Sequence, residues 1–138
     1  MSSAQRAMEQ LLRRDPRYKL EAYIFVRDAL AFAQRNLLPA AVINKEDDDE
    51  DESRHLSGQQ LCEACRQYAL EQYGYLAKIV LASWGLKHTG DFGDVVYNLI
   101  DIKHMRKSKS DRREDFDNVY SFDTAFEPRF EMLTSKEV

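Results

Sequence analysis

Cysteine, proline and glycine are scarce in this sequence, with two, three and five residues among 138. Two cysteines cannot build the disulfide framework of a small secreted domain, so the expected compartment is a reducing cytoplasm. So little glycine and proline disfavours a turn-rich β-sandwich. Long apolar runs are also missing. Ala22–Val26 and Ala29–Ala33 are the longest, and Arg27 and Asp28 separate them. Neither approaches the roughly 18–20 residues that cross a bilayer, so no membrane is expected among the partners. Met1–Arg14 lacks the charged-then-apolar layout of a secretory leader. The catalytic fingerprints G-x-S-x-G, the P-loop and G-x-G-x-x-G do not occur.

What is present is 43% apolar and 32% charged, with 11% aromatic. That is the profile of a folded chain with a very polar surface. The length fits one domain over 1–138 that buries about two thirds of its unfolded surface, without a metal or disulfide to staple it. The net charge of −4 conceals a division. Glu46–Glu52 reads EDDDEDE; setting those seven acids aside leaves 17 acids against 20 bases, a remainder of +3. The densest basic stretch is 103–113, with Lys103, Arg106, Lys107, Lys109, Arg112 and Arg113 interrupted by the single acid Asp111.

Periodicity predicts a mainly α fold of five or six helices. Ala4–Arg13 reads as a short helix with Ala7, Met8, Leu11 and Leu12 on one side. Asp15-Pro16 reads as the cap and first turn of a helix over Arg17–Leu37. That helix is apolar on nearly every side, as a central helix packed by neighbours would be. Pro39 ends it, and 39–54 reads as an acidic, flexible insertion in which Ala41-Val42-Ile43 can supply a short strand. Leu56-Ser57-Gly58-Gln59-Gln60-Leu61 is a capping box with its hydrophobic staple, opening a helix that stops at Gly74. A further helix carries Leu76, Ile79, Val80 and Trp84 and halts at Gly85. Another begins near Thr89 or Asp91 with Phe92, Val95, Val96, Leu99 and Ile102. Short connections make these antiparallel neighbours. Asp111 or Ser110 then caps a short helix with Phe116, Val119 and Tyr120. Phe122 and Phe126 follow, so that the aromatics close over the core, and the tail 129–138 adds a short strand or frays.

Each chemical constellation has a plainer reading beside it. Cys62-Glu63-Ala64-Cys65 puts two sulfurs on one helix face, but a closed zinc site needs four ligands and the sequence holds no second pair. The two thiols share the apolar stripe of Leu61 and Ala69 and read as small core hydrophobes. His55, His88 and His104 are scattered. Glu21 and Asp28, seven apart, read as solvent-facing or ion-paired rather than as an acid/base pair. Asp91-Phe92-Gly93 lacks the other kinase signatures. The basic stretch is the candidate contact for a polyanion or protein partner, through Lys103, Arg106, Lys107, Lys109, Arg112 and Arg113. The acidic linker can lie against it and screen it from other polyanions, in a pairing that weakens with salt.

Two groups of segments carry a resemblance. One is Asp15-Pro16-Arg17-Tyr18 with Glu21–Val26 and Ala29-Leu30. The other is His55–Leu61, Tyr68–Gly74, Trp84-Gly85, Asp91-Phe92-Gly93, Arg113–Phe116 and Tyr120–Asp123. Together they resemble a small bacterial family largely restricted to the planctomycete–verrucomicrobial group, to which no activity is assigned. In it aliphatic residues stand at the positions of Cys62 and Cys65, which implies a packing role for both. Within this, Asp91–Asp101 and Phe116–Phe126 (FDNVYSFDTAF) resemble the last third of an ATP-cone, the regulatory nucleotide-binding domain of ribonucleotide reductases and their repressor. That likeness implies nucleotide sensing. The basic-Asp-Gly segment that opens an ATP-cone has no counterpart here.

The expectation is thus a cytosolic, non-enzymatic interaction or regulatory module with no cofactor, no metal site and a protein partner. A nucleotide-sensing domain and an RNA- or DNA-associated factor using 103–113 are the alternatives.

Overall fold

The first helix, α1 (Ser3–Arg14), is opened by a device the periodicity reading passes over. Ser2 Oγ accepts from Gln5 N, and Gln5 Oε1 accepts from Ser2 N, a reciprocal capping box with the spacing S-x-x-Q. Leu11 is its fully buried anchor, with Met8 and Leu12 partly buried beside it. The computed structural model describes residues 2–36, 56–109 and 111–127. The acidic run 46–52, Ala41-Val42-Ile43, His55, Ser110 and the tail 129–138 therefore lie outside the described residues.

Asp15-Pro16 does not start the second helix. Asp15 closes α1, its N–H donating to Leu11 O, and α2 (Leu20–Asn36) begins only after the turn through Lys19. The Asp15 carboxylate accepts from the Arg17 amide at 3.3 Å, as a cap would, but it is also held by the Arg17 guanidinium and by Asn98, and a turn rather than a helix follows it. Nor is α2 covered on all sides. Ala22, Tyr23, Phe25, Val26, Ala29, Phe32 and Ala33 form its buried face, but Leu20 and Ile24 are 42% and 46% exposed.

The capping box at Ser57 and Gln60 opens α3 (Gly58–Tyr73) as its spacing predicts, with Leu56 and Leu61 buried around it. A 3₁₀ turn (Gly74–Leu76) leads into α4 (Ala77–Ser83). Here the expected apolar stripe is corrected. Ala77 and Leu81, one turn apart, take the core side, so Leu76 and Ile79 are left 46% and 67% exposed. Then α5 (Thr89–Asp101) buries Phe92, Val95, Val96 and Leu99. The helix expected to hold Phe116, Val119 and Tyr120 is instead a 3₁₀ turn (Arg113–Phe116), a bend in which Asn118 adopts φ 53°, and the single-turn α6 (Phe122–Ala125). The left-handed Asn118 breaks the helical pattern there.

Every regular element among the described residues is helical, and the fold is mainly α. One cluster of buried side chains runs through α1–α5 and the C-terminal turns. α2 packs on α3 and α5, and the 3₁₀ turn at Phe116 wedges between α3 and α5. Two glycines make room for that wedge. A Cβ at Gly93 would stand 2.7 Å from Phe116 Cβ, and one at Gly58 would stand 2.8 Å from Asp115 Cβ. The aromatics do close over the core as expected: Phe122 lies 5.6 Å from Phe92 and 4.9 Å from Phe126 between ring centres.

Candidate interaction surface

Three features share the surface, and their polar groups distinguish them. The first is an ion-pair network on α5. Asp94 accepts from Arg113 Nε at 2.8 Å and from Arg17 Nη1 at 3.1 Å. The Tyr18 hydroxyl stands 2.7 Å from Asp91 and 3.0 Å from Asp94. Arg113 also reaches Asp117 and the Gly90 carbonyl. Asp15 binds Arg17, and Asn98 bridges Asp15 to the Tyr23 hydroxyl. Arg17 beside it holds the Asp15 carboxyl well below the usual carboxylate range, while burial pushes the Tyr18 phenol upward. A depressed carboxyl stabilises the fold above its unfolded pKa, and that contribution fades as pH falls below about 4. This network fastens the α1–α2 turn and the C-terminal segment to one helix. Asp91 also caps that helix. Its Oδ2 accepts from the Lys87 and His88 amides at the start of α5, so the D-F-G triplet is a helix cap, a core ring and a close-approach glycine.

The second feature is a groove of about 770 Å³ between α3 and the C-terminal turns, lined by Glu63, Arg66, Leu70, Tyr75, Val119 and Tyr120 among others. Within it Arg66 forms a two-pronged pair with Glu63 at 3.0 and 2.7 Å, and Gln67 donates to the same carboxylate. The Tyr120 hydroxyl donates to Cys62 O at 2.6 Å. Tyr75, Leu76 and Ile79 stand exposed on the 3₁₀ turn and α4 beside it.

The third is the loop from α5 to the Phe116 turn, which holds the sequence-predicted contact residues. Lys103, Arg106, Lys107, Lys109 and Arg112 are all exposed on it. Arg113 is not part of that array, since its guanidinium is drawn into the Asp94 network. The loop is fastened to the end of α5 at its start and, at its far end, by Arg113 bonding Asp94 and the Gly90 carbonyl. On leaving α5, Lys103 N donates to Ile100 O and His104 N to Leu99 O, the paired bonds of a Schellman motif. Met105 packs against the core. Further on, the one acid of the stretch, Asp111, turns its carboxylate back onto the Ser108 amide at 2.8 Å.

Lys103 occupies the position of that motif that favours glycine, with φ 64°. A side chain in the left-handed region costs about 1–2 kcal/mol, partly offset by the greater unfolded-state freedom of glycine. Lys103→Gly is therefore expected to stabilise the protein by about 0.5–1 kcal/mol, read as a Tm increase of a few degrees in thermal melting.

The remaining sequence candidates fall elsewhere. Glu21 and Asp28 sit on the exposed side of α2, and His88 is exposed at the start of α5. Among the described residues, no group of three or more His, Cys, Asp and Glu side chains is placed to hold a metal ion. Cys62 and Cys65 are free and fully buried. Burial pushes the Cys62 thiol up to about 12 and raises Cys65 well above the ordinary thiol range. Since the thiolate is the reactive form, neither cysteine should be alkylated by iodoacetamide in the native protein at pH 8. Labelling counted by mass spectrometry should appear only with denaturant; rapid native labelling of either residue would contradict the core assignment.

Among the described residues, no helix is long and apolar enough to cross a membrane. Comparison of the chain with protein-family models, with curated proteins and with solved structures gives no match. The functional reading accordingly rests on the geometry of the chain itself.

Proposed function

We propose that this protein is a non-enzymatic interaction module of the reducing cytoplasm, and that its basic loop binds an acidic segment of a partner protein. The observation that carries this reading is the loop itself. Lys103, Lys107 and Arg112 are exposed on a backbone fastened at its start to the end of α5 and at its far end through Arg113 to Asp94 and the Gly90 carbonyl, so the array is positioned before a partner arrives. Preorganised charge favours encounter rate and selectivity for an oppositely charged surface. A protein partner is favoured over single-stranded nucleic acid by the fate of the neighbouring rings. Bases stack on exposed aromatics, but Phe116 is buried and the Tyr120 hydroxyl is tied to Cys62 O.

The test is fluorescence anisotropy with a labelled deca-glutamate peptide at low ionic strength. The triple variant Lys103→Glu, Lys107→Glu, Arg112→Glu should bind at least tenfold more weakly, and binding to the wild type should weaken with salt. Tighter binding to a single-stranded oligonucleotide than to the peptide would replace the protein partner with nucleic acid. The nucleotide-sensing alternative requires a rise in Tm with millimolar ATP or dATP, and none is expected here.

A further inference from the structure

We propose that this protein forms a two-fold dimer through the outer face of α4 and the groove beside it. Five large apolar side chains stand exposed among the described residues. Three of them, Tyr75, Leu76 and Ile79, fall within five consecutive positions, at 70%, 46% and 67% exposure. They give the 3₁₀ turn and α4 a second apolar face. The inner face is Ala77 and Leu81, both fully buried, and Lys78 is the one charged residue of α4. A surface helix ordinarily turns polar residues outward, whereas one that is apolar on both sides is packed from both sides. Seven residues are also too few to hold a helix without packing.

Two observations make a second copy of this chain the occupant. The first is area and shape. The patch is on the order of 300–400 Å², while a standard interface takes about 800 Å² from each partner. The groove supplies the remainder: Leu70, Val119 and Ala125 line it, and Tyr75 belongs to both groove and patch. Projection and recess are therefore neighbours on one chain. A two-fold axis near Tyr75 sets Leu76 and Ile79 of each copy into the groove of the other. Such an interface closes on itself and stops at two copies. The second observation is charge. Identical faces bring like charges together, so a face that meets its own copy must carry little net charge. Here Lys78 is paired with Asp123 at 2.6 Å and Arg66 with Glu63 at 2.7 Å, which leaves Glu127 as the remaining acid of the groove. The basic loop, by contrast, repels its own copy. A small interface of this kind gives a reversible dimer in the micromolar range.

Sedimentation-velocity ultracentrifugation of the wild-type chain, from low micromolar concentration to about 1 mM, is the test. The proposal expects a monomer–dimer equilibrium with no larger species. Ile79→Glu places a charge at the centre of the contact and should weaken dimerisation at least 100-fold. Tyr75→Ala should weaken it about tenfold. Both residues face solvent in the monomer, so the Tm of each variant, read at low micromolar concentration, should stay within a few degrees of the wild type. A benzoylphenylalanine placed at position 79 of the full chain should, on irradiation, give dimer-sized products joined to Leu70, Val119 or Ala125. A wild type that is monomeric throughout the range overturns the proposal. A dimer that both Ile79→Glu and Tyr75→Ala leave intact also overturns it, since the copies then meet through another face. Crosslinks within one chain to residues 128–138 would make that segment the occupant and overturn the proposal as well.

Discussion

Gly85→Ala is expected to lower stability by about 3 kcal/mol or more, and the Tm by about 10 °C. Two effects add at this position. Gly85 is at φ +99°, a conformation that side chains rarely adopt, and a Cβ there would stand 2.1 Å from the Arg17 carbonyl oxygen. That oxygen belongs to the turn between α1 and α2, which Lys19 N also fastens to Trp84 O. Relief therefore requires movement of backbone on both sides. Gly85 N bonds Ala82 O and Leu86 N bonds Leu81 O, closing α4 with the same pair of bonds that closes α5 at Lys103. The two sites thus make opposite predictions from one motif: a side chain added at Gly85 destabilises, and one removed at Lys103 stabilises. Gly74→Ala is the control, since Gly74 has φ +55° but nothing within 4 Å of an added Cβ. With ψ −133° it still carries backbone strain, so it should cost about 1–3 kcal/mol in a urea melt, less than Gly85→Ala. Equal losses at Gly85 and Gly74 would mean that the close approach of the two turns is not present in solution.

Phe92→Ala is expected to cost about 3–5 kcal/mol, against a total of about 5–15 for a domain of ordinary stability. The ring is fully buried and joins three parts of the chain. It lies 6.4 Å from Phe25 of α2 and 5.6 Å from Phe122 of the closing turn. Phe122 in turn packs on Phe126 and Tyr120. Truncation leaves a cavity beneath those rings, and the C-terminal segment loses the surface it closes on. Chemical denaturation provides the number. A loss below about 1 kcal/mol would show that the site collapses or that the C-terminal rings pack elsewhere.

Where local chemistry decides the structure, it was legible in the sequence. The box at Ser57 and Gln60, the stops at Gly74 and Gly85, the buried stripe of α5 and the packing role of the two cysteines follow from spacing alone. Where a distant residue intervenes, the local signal misleads. Asp15 before Pro16 has the form of a helix cap and does accept the Arg17 amide, yet Asn98, 83 positions away, also holds its carboxylate, and no helix follows until Leu20. Leu76 and Ile79 have helical spacing, but the neighbouring pair Ala77 and Leu81 faces the core. Arg113 reads as one more cation of the basic stretch, whereas Asp94, 19 positions earlier, draws it into the ion-pair network. No local pattern announces that network, because Arg17, Asp94 and Arg113 meet only after α2 and α5 have packed. The capping box at Ser2 and Gln5 was equally readable from its spacing.

The aromatic and apolar side chains thus hold the helices together, and the basic loop is the surface we propose for recognition. The most direct test is a ¹H–¹⁵N NMR titration of the wild-type chain with the deca-glutamate peptide at low salt. Amide shifts concentrated at Lys103, Lys107 and Arg112, fading as salt is added, are the predicted result. Shifts concentrated instead at Glu63, Arg66, Tyr75 and Thr124 would assign recognition to the groove and contradict the role given to the loop.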